Sequence, residues 1–258
     1  MTKNGILCEV KEKRVYLDPK KTDLNAINFV SHAHSDHLPS KNGGTILSSI
    51  ETSAISNIRG FTMENHVESL DGFSLIDSGH VLGSKGLLFD DIFYTGDICT
   101  RDRGFLKAAE IPSCKTLITE CTFGLPEFKF PKMNDIQNYV NQLISDLYSK
   151  GVPVILMGYQ LGKAQTITQL FGHWDPLYVH DSIKEMNMLH QKFDIPLKDC
   201  IGHSEAQKNG LLDKKPWVMI TPVLSAKNEF LQEMKSKYGA VTIGFSGWAQ
   251  STKFSFGR

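Results

Sequence analysis

The chain has 258 residues, 41% of them hydrophobic and 22% charged, which excludes a disordered or fibrous protein and admits one large domain or two joined ones. Its 28 basic residues are balanced by 28 acidic ones. Charge therefore gives no sign of a nucleic-acid partner, and any basic surface must be local.

Up to about residue 120 the chain reads as short strands punctuated by Gly, Asn and Asp: Arg14–Leu17, Ala26–Val30, Thr45–Ser48, Ser74–Asp77, Gly86–Phe89, Ile92–Tyr94 and Thr116–Thr119. The character then changes. Asn134 is a candidate cap for a helix reaching about Lys150, with apolar residues at Ile136, Tyr139, Val140, Ile144 and Leu147, and Gly151 stops it. The strand Val154–Met157, a glycine-flanked turn and a helix from Lys163 to Leu170 follow. Leu177–Val179, a helix at Ile183–Phe193, Val218–Thr221, a helix at Ala226–Lys237 and Val241–Phe245 complete an alternation that predicts a mostly parallel α/β sheet. The shift in composition lies between Glu120 and Pro131. The expected division is a first domain over 1–122, a second over 123–245, and a start of return to the first over 246–258.

Cys8, Cys99, Cys114, Cys121 and Cys200 are odd in number and form no Cys-x-x-Cys pair. That pattern suits reduced thiols in a cytoplasmic protein better than a disulfide framework, and the strand-side positions of Cys99, Cys114 and Cys121 suit packing. No run is long enough for a membrane span and no basic start leads into an apolar stretch, so the expected location is the cytoplasm, with no membrane partner.

The strand ending at Val30 leads directly into His32-x-His34-x-Asp36-His37. Alternation lets His32 and His34 project the same way, with Asp36 and His37 at the following turn. Three imidazoles and a carboxylate in six residues are costly to bury without a cation, and this donor set suits zinc or a similar divalent ion. His80 and Asp97 each follow a strand and are candidate further ligands; Asp18, also at a strand end, is a candidate for orienting a ligand histidine.

In that order, Asp18, the histidine–aspartate run, His80 and Asp97 resemble the metallo-β-lactamase superfamily. Thr119-Glu120-Cys121-Thr122, Ser78-Gly79-His80-Val81-Leu82-Gly83-Ser84 and Ser246-Gly247-Trp248 resemble its nucleic-acid-processing β-CASP branch. Thr119–Pro131 (TECTFGLPEFKFP) and Gly158–Gln165 (GYQLGKAQ) are similar to the DNA ligase-associated exonucleases. The resemblance implies an αββα sandwich with an inserted β-CASP-type α/β domain. It implies two divalent metals, zinc or manganese: one held by His32, His34 and His80, one by Asp36 and His37, with Asp97 bridging. It also implies a DNA-processing exonuclease of DNA repair, working beside a ligase and a helicase. Catalytic roles then fall to Asp36, Glu120 and Asp18, with Glu120 positioning the water or a neighbouring histidine.

The branch carries a Ser-Asp-His-like motif and a later histidine beyond its Ser-Gly-Trp segment. This sequence ends ten residues after Trp248, at Arg258, and lacks both, so the second metal site is expected to be only partly built.

Gly162 and Lys163, between a strand and a helix, are candidates for holding a substrate phosphate; Arg101 and Arg103 are candidates for lining the groove. Trp174 and Trp217 offer base stacking, with core packing the commoner fate. Three other readings stay open: an RNA 3′-end-processing nuclease, a hydrolase of a small thioester or lactone, and a protein that binds nucleic acid or a partner without cutting.

Overall fold

Ile6–Val10 (β1) and Lys13–Leu17 (β2) pair antiparallel, and Ile27–Phe29 (β3), Thr45–Leu47 (β4) and His66–Val67 (β5) then add in parallel, giving the order β1-β2-β3-β4-β5. The computed structural model describes residues 3–10 and 13–250, so the last eight residues of the expected return segment lie outside the described residues. A second sheet is built from Ser74–Asp77 (β6), Lys85–Phe89 (β7), Ile92–Tyr94 (β8) and Thr116–Ile118 (β9), the last pair parallel. Alternation sends Val15, Leu17, Phe29 and Leu47 from the first sheet into one core with Leu87, Phe89 and Tyr94 from the second. The two sheets therefore pack face to face. Each fully buried aliphatic there contributes about 1.5–3 kcal/mol.

The helix Ile50–Ile58 (α1) was not among the predicted elements. Its sequence, IETSAISNI, is rich in small polar residues and offers a weak apolar stripe. The local signal lies in its cap: Ser49 Oγ accepts from Thr52 N at 3.1 Å, and Glu51 sits in the first turn.

By Cα proximity the chain divides into two compact units, Met1–Thr122 and Phe123–Arg258. The second unit carries the sheet order β12-β11-β13-β10-β14, with all four pairings parallel. Its strands are Val154–Met157 (β10), Leu177–Val179 (β11), Ile201–Gly202 (β12), Val218–Thr221 (β13) and Val241–Gly244 (β14). Met133–Tyr148 (α2), Lys163–Phe171 (α3) and Asp181–Lys192 (α4) cover one face, where Val140, Ile144, Ile167, Phe171 and Ile183 meet Val154, Leu156, Val218 and Ile220. His203–Lys208 (α5) and Glu229–Tyr238 (α6) cover the other through Ala206, Leu231 and Met234.

The parallel α/β alternation is as expected, with differences at the ends. Asn134 does not cap α2: the chain is extended at Lys132 after Pro131 and helical from Met133, so Asn134 falls inside the first turn. Trp217 is fully buried, donating from Nε1 to Leu212 O at 2.9 Å, and so is no stacking platform; Trp174 is half-buried and donates to Asn141 Oδ1 at 2.9 Å. All five cysteines are free, and Cys121 is exposed rather than packed because β9 ends before it, at Ile118. Among the described residues no helix is long and apolar enough to cross a membrane.

His190 on α4 is fully buried, with Nδ1 donating to Met186 O at 2.8 Å, and burial pulls its pKa down to about 4. The folded state thus resists a proton that the unfolded chain accepts near 6.5. Its effect on stability is nil above that value and grows as pH falls, reaching roughly 3 kcal/mol of destabilisation by pH 4. Urea unfolding of His190→Leu at pH 7 and pH 4.5 is expected to show a shallower acid loss than wild type; equal losses would remove His190 from the account.

Candidate metal centre

The donor residues of the first unit stand at strand ends. Asp18 follows β2, the His32–His37 run follows β3, His80 follows β6, Asp97 follows β8 and Glu120 follows β9. β2 and β3 run parallel, as do β8 and β9, so Asp18 leaves the same edge as the histidine run and Asp97 the same edge as Glu120. The loop carrying His80 is tightly specified. Gly79 has φ +68°, and a Cβ there would lie 2.5 Å from Lys107 O and 2.6 Å from Cys99 O. Ser84 Oγ accepts from the amides of His80 (3.1 Å) and Val81 (3.0 Å). Arg103 Nη2 donates to Gly79 O (3.0 Å) and His80 O (2.8 Å), so this arginine braces the loop instead of lining a groove.

One nitrogen each from His32, His34 and His80, with one oxygen of Asp97, lie within 4.8 Å of one another. His34 Nδ1 is 3.0 Å from His32 Nε2 and 3.2 Å from His80 Nε2, and Asp97 Oδ2 is 3.4 Å from His80 Nε2 and 3.8 Å from His32 Nε2. Donors 2.0–2.1 Å from a tetrahedral ion stand about 3.3 Å apart, so these separations fit zinc. The other oxygen of Asp97 looks elsewhere: Oδ1 is 3.4 Å from His37 Nε2, which in turn is 3.7 Å from Asp36 Oδ2. One carboxylate thus faces two donor sets.

The supporting hydrogen bonds fix the tautomers. Ser31 Oγ donates its only proton to Asp18 Oδ2 at 2.6 Å, so it accepts from His32 Nδ1 at 2.9 Å. That leaves the lone pair of His32 Nε2 aimed at the cluster. Asp18 Oδ2 also accepts from His37 Nδ1 (2.8 Å) and Tyr94 OH (2.8 Å), while Oδ1 accepts from Ser31 N (2.7 Å). This is the carboxylate–histidine support that metal ligands use.

Electrostatics separate the two sets. Burial, together with the neighbouring His37, His34, His80 and Arg59, holds His32 well below 6.5, in its ligating neutral form. Burial also lowers His37, but the Asp18 hydrogen bond and the charges of Asp18, Asp97 and Asp36 outweigh it and raise the group to about 9. In the metal-free protein His37 is therefore protonated at neutral pH, and its stabilising contribution is lost as pH rises through about 9. Burial raises Asp97 to about 6 against the lowering effect of His37, with Glu120, Asp36 and Asp18 adding to the rise.

Of the sequence-predicted site residues, His32, His34, His80 and Asp97 converge, and Asp36 and His37 form the neighbouring set. Glu120 accepts from Ile98 N at 3.0 Å and from Thr122 N and Oγ1, so it holds the loop beside Asp97 and makes no hydrogen bond to a histidine. The turn at Gly162 and Lys163 begins α3, but two of its amides are engaged: Gly162 N donates to Gln165 Oε1 (2.8 Å) and Ala164 N to Tyr159 O (3.0 Å). Gly158 serves packing, since a Cβ there would lie 2.7 Å from Ile167 Cδ1. Arg101 is exposed. Sequence reasoning missed Ser31, Ser84 and Tyr94. Ser31 and Ser84 adjoin the histidine motifs and were the findable ones.

The chain has a mixed α/β fold of the metallo-β-lactamase and β-CASP type. No family model matches it. A probable DNA ligase of Opitutus terrae is 29% identical over 242 residues, covering 86% of this chain and 22% of that protein. Cleavage and polyadenylation specificity factor 73 of Drosophila melanogaster is 28% identical over 148 residues, 51% of this chain and 21% of that one. Endoribonuclease YSH1 of Kluyveromyces lactis is 34% identical over 101 residues, 37% of this chain and 13% of that one. The chain thus spans about a fifth or less of these relatives. The crystal structure of a protein of unknown function from Enterococcus faecalis shares the fold, with a TM-score of 0.54 and 15% identity over 86% of this chain and 70% of that one.

Proposed function

We propose that this chain is a metal-dependent hydrolase of phosphodiester bonds in nucleic acid, with DNA preferred over RNA and an exonuclease role in DNA repair. The observation that carries the reading is Asp97, whose two oxygens face separate donor sets. In this reading His32, His34 and His80 would hold one divalent ion and Asp36 and His37 a second, with Asp97 available to both. Divalent ions bound there supply Lewis acidity, lowering the pKa of water and stabilising charge at phosphorus.

The chain's own residues do the rest. Asp18 fixes the ring of His37 directly and that of His32 through Ser31. Glu120 positions the Asp97 loop through the amide of Ile98, and His32, kept neutral by burial, presents a lone pair at neutral pH. Asp36, 80% exposed, is the most solvent-open of these donors. Gly162, Lys163 and Arg101 are proposed substrate contacts. A DNA ligase and a helicase remain the proposed partners, and the cytoplasm the proposed location.

The DNA reading is supported by the likeness over 86% of the chain to a probable DNA ligase. An RNA reading has its own support in the shorter likenesses to a cleavage and polyadenylation factor and an endoribonuclease. The test is hydrolysis of end-labelled DNA and RNA of one sequence by the chain loaded with Zn²⁺ or Mn²⁺. Faster loss of single nucleotides from DNA is expected. Preference for RNA would transfer the assignment to RNA processing, and no cleavage of either would refute it.

A further inference from the structure

Arg59 is the C-cap of α1, its amide donating to Ile55 O at 3.1 Å. Its side chain is half-buried, yet its Nε is shut off from solvent and makes no hydrogen bond among the described residues. A guanidinium carries five donors and keeps its charge in proteins, so an enclosed N–H without an acceptor costs stability unless a ligand supplies one.

The place of this residue suggests which ligand. Just beyond it, Phe61 and Met63 pack with Val30, Leu38 and Ile46. Val30 leads into Ser31-His32, and Leu38 follows His37, so the end of α1 is fastened to both ends of the histidine–aspartate run. The electrical coupling agrees. Arg59 lies within charge range of both His32 and the Asp36 carboxylate. Asp36 nevertheless makes no hydrogen bond or ion pair with Arg59 and is 80% exposed. A cation held beside the donor sets, with no carboxylate hydrogen-bonded to it among the described residues, matches the pair of non-bridging oxygens that a phosphate presents to a planar guanidinium fork.

We propose that Arg59 binds a phosphate of the substrate at the metal centre, an inference that rests on the nucleic-acid reading above. The guanidinium would supply two parallel N–H donors to non-bridging oxygens, leaving Asp36 to its donor set. A simpler role, as counter-charge to Asp36, makes different demands: it would affect metal retention and leave the substrate untouched.

The test is equilibrium binding of a fluorescent single-stranded oligonucleotide to the zinc-loaded full chain, followed by anisotropy from 50 to 300 mM KCl. A phosphorothioate backbone keeps the charge and resists hydrolysis. Arg59→Gln is expected to weaken binding by about tenfold or more at 0.1 M salt. The slope of log affinity against log salt should become shallower by about 0.7, the share of one phosphate contact on a single strand. Arg59→Lys should keep the wild-type slope, and both variants should keep wild-type zinc content and melt no lower than wild type. Wild-type affinity in Arg59→Gln, weaker binding with an unchanged slope, or loss of zinc would each overturn the proposal. Binding by wild type without cleavage of ordinary DNA or RNA would remove the nuclease reading and leave this one standing; no binding by wild type would remove both.

Discussion

Replacing Asp97 with alanine is expected to lower nucleic-acid hydrolysis on the order of 10³-fold, about 4 kcal/mol of transition-state stabilisation. One carboxylate serves both donor sets, with Oδ2 at 3.4 Å from His80 Nε2 and Oδ1 at 3.4 Å from His37 Nε2, so its loss affects both. The fold should not suffer. Burial raises the Asp97 pKa to about 6, so at neutral pH the metal-free folded state holds an ionised carboxylate that the unfolded chain would solvate better. Melting of metal-free Asp97→Ala is therefore expected at or above the wild-type temperature. Its backbone carbonyl still accepts from Ser78 Oγ at 2.7 Å, which holds the loop. Asp97→Asn keeps the shape without the charge and should fall between the two in activity. A variant that melts well below wild type would show that Asp97 is a structural residue and that the activity loss says nothing about the centre.

Asp18→Ala is expected to act in the opposite way, through stability first. Four donors end on this carboxylate: Ser31 N, Ser31 Oγ, His37 Nδ1 and Tyr94 OH. Alanine leaves them without their acceptor in a site where the Asp18 side chain is only 7% exposed. Each unsatisfied group costs about 1–3 kcal/mol, and removing one partner of an enclosed charge pair about 3–5 kcal/mol in all. Asp18 also sits at φ +44°, a left-handed conformation that Asn and Asp tolerate better than Ala. Urea unfolding of metal-free Asp18→Ala should therefore show a loss of about 4 kcal/mol, with Asp18→Asn losing less than half as much. Both should weaken zinc binding by about 10–100-fold, because His37 loses its orienting partner. A stability loss under about 1 kcal/mol for alanine would contradict the hydrogen-bond account.

Much of the centre was legible because its chemistry is local. His32, His34, Asp36 and His37 lie on six consecutive residues after an apolar strand, and no packing argument asks for such a run. His80 and Asp97 were legible only in company, each being an ordinary residue after a strand until the run supplied a reason to look. The supports are harder to see. Tyr94 reaches Asp18 across 76 positions in sequence, and Arg103 reaches Gly79 and His80 across 24 and 23. Such pairs arise from the sandwich bringing strand ends together, which periodicity does not encode. The same applies to α1, which has no strong apolar stripe of its own and is tied down by the distant Gly83 loop, where Thr52 Oγ1 donates to Gly83 O at 3.0 Å. In the second unit the strands Val154–Met157, Leu177–Val179 and Val218–Thr221 stand where continuous apolar runs placed them, because a parallel strand covered on both faces needs such a run. Its helix starts are less readable: Glu229 opens α6 behind the Asn228 cap, three residues later than expected.

The most direct test of the central claim is the zinc content of the purified full chain after dialysis against trace zinc, beside that of His32→Ala. Tightly held zinc is expected in the wild-type chain at neutral pH, and its loss from the variant. A second equivalent is expected to bind more tightly as pH rises towards about 9, because the ion must displace the proton on His37. Wild-type protein without zinc, or His32→Ala holding as much as wild type, would contradict the metal centre.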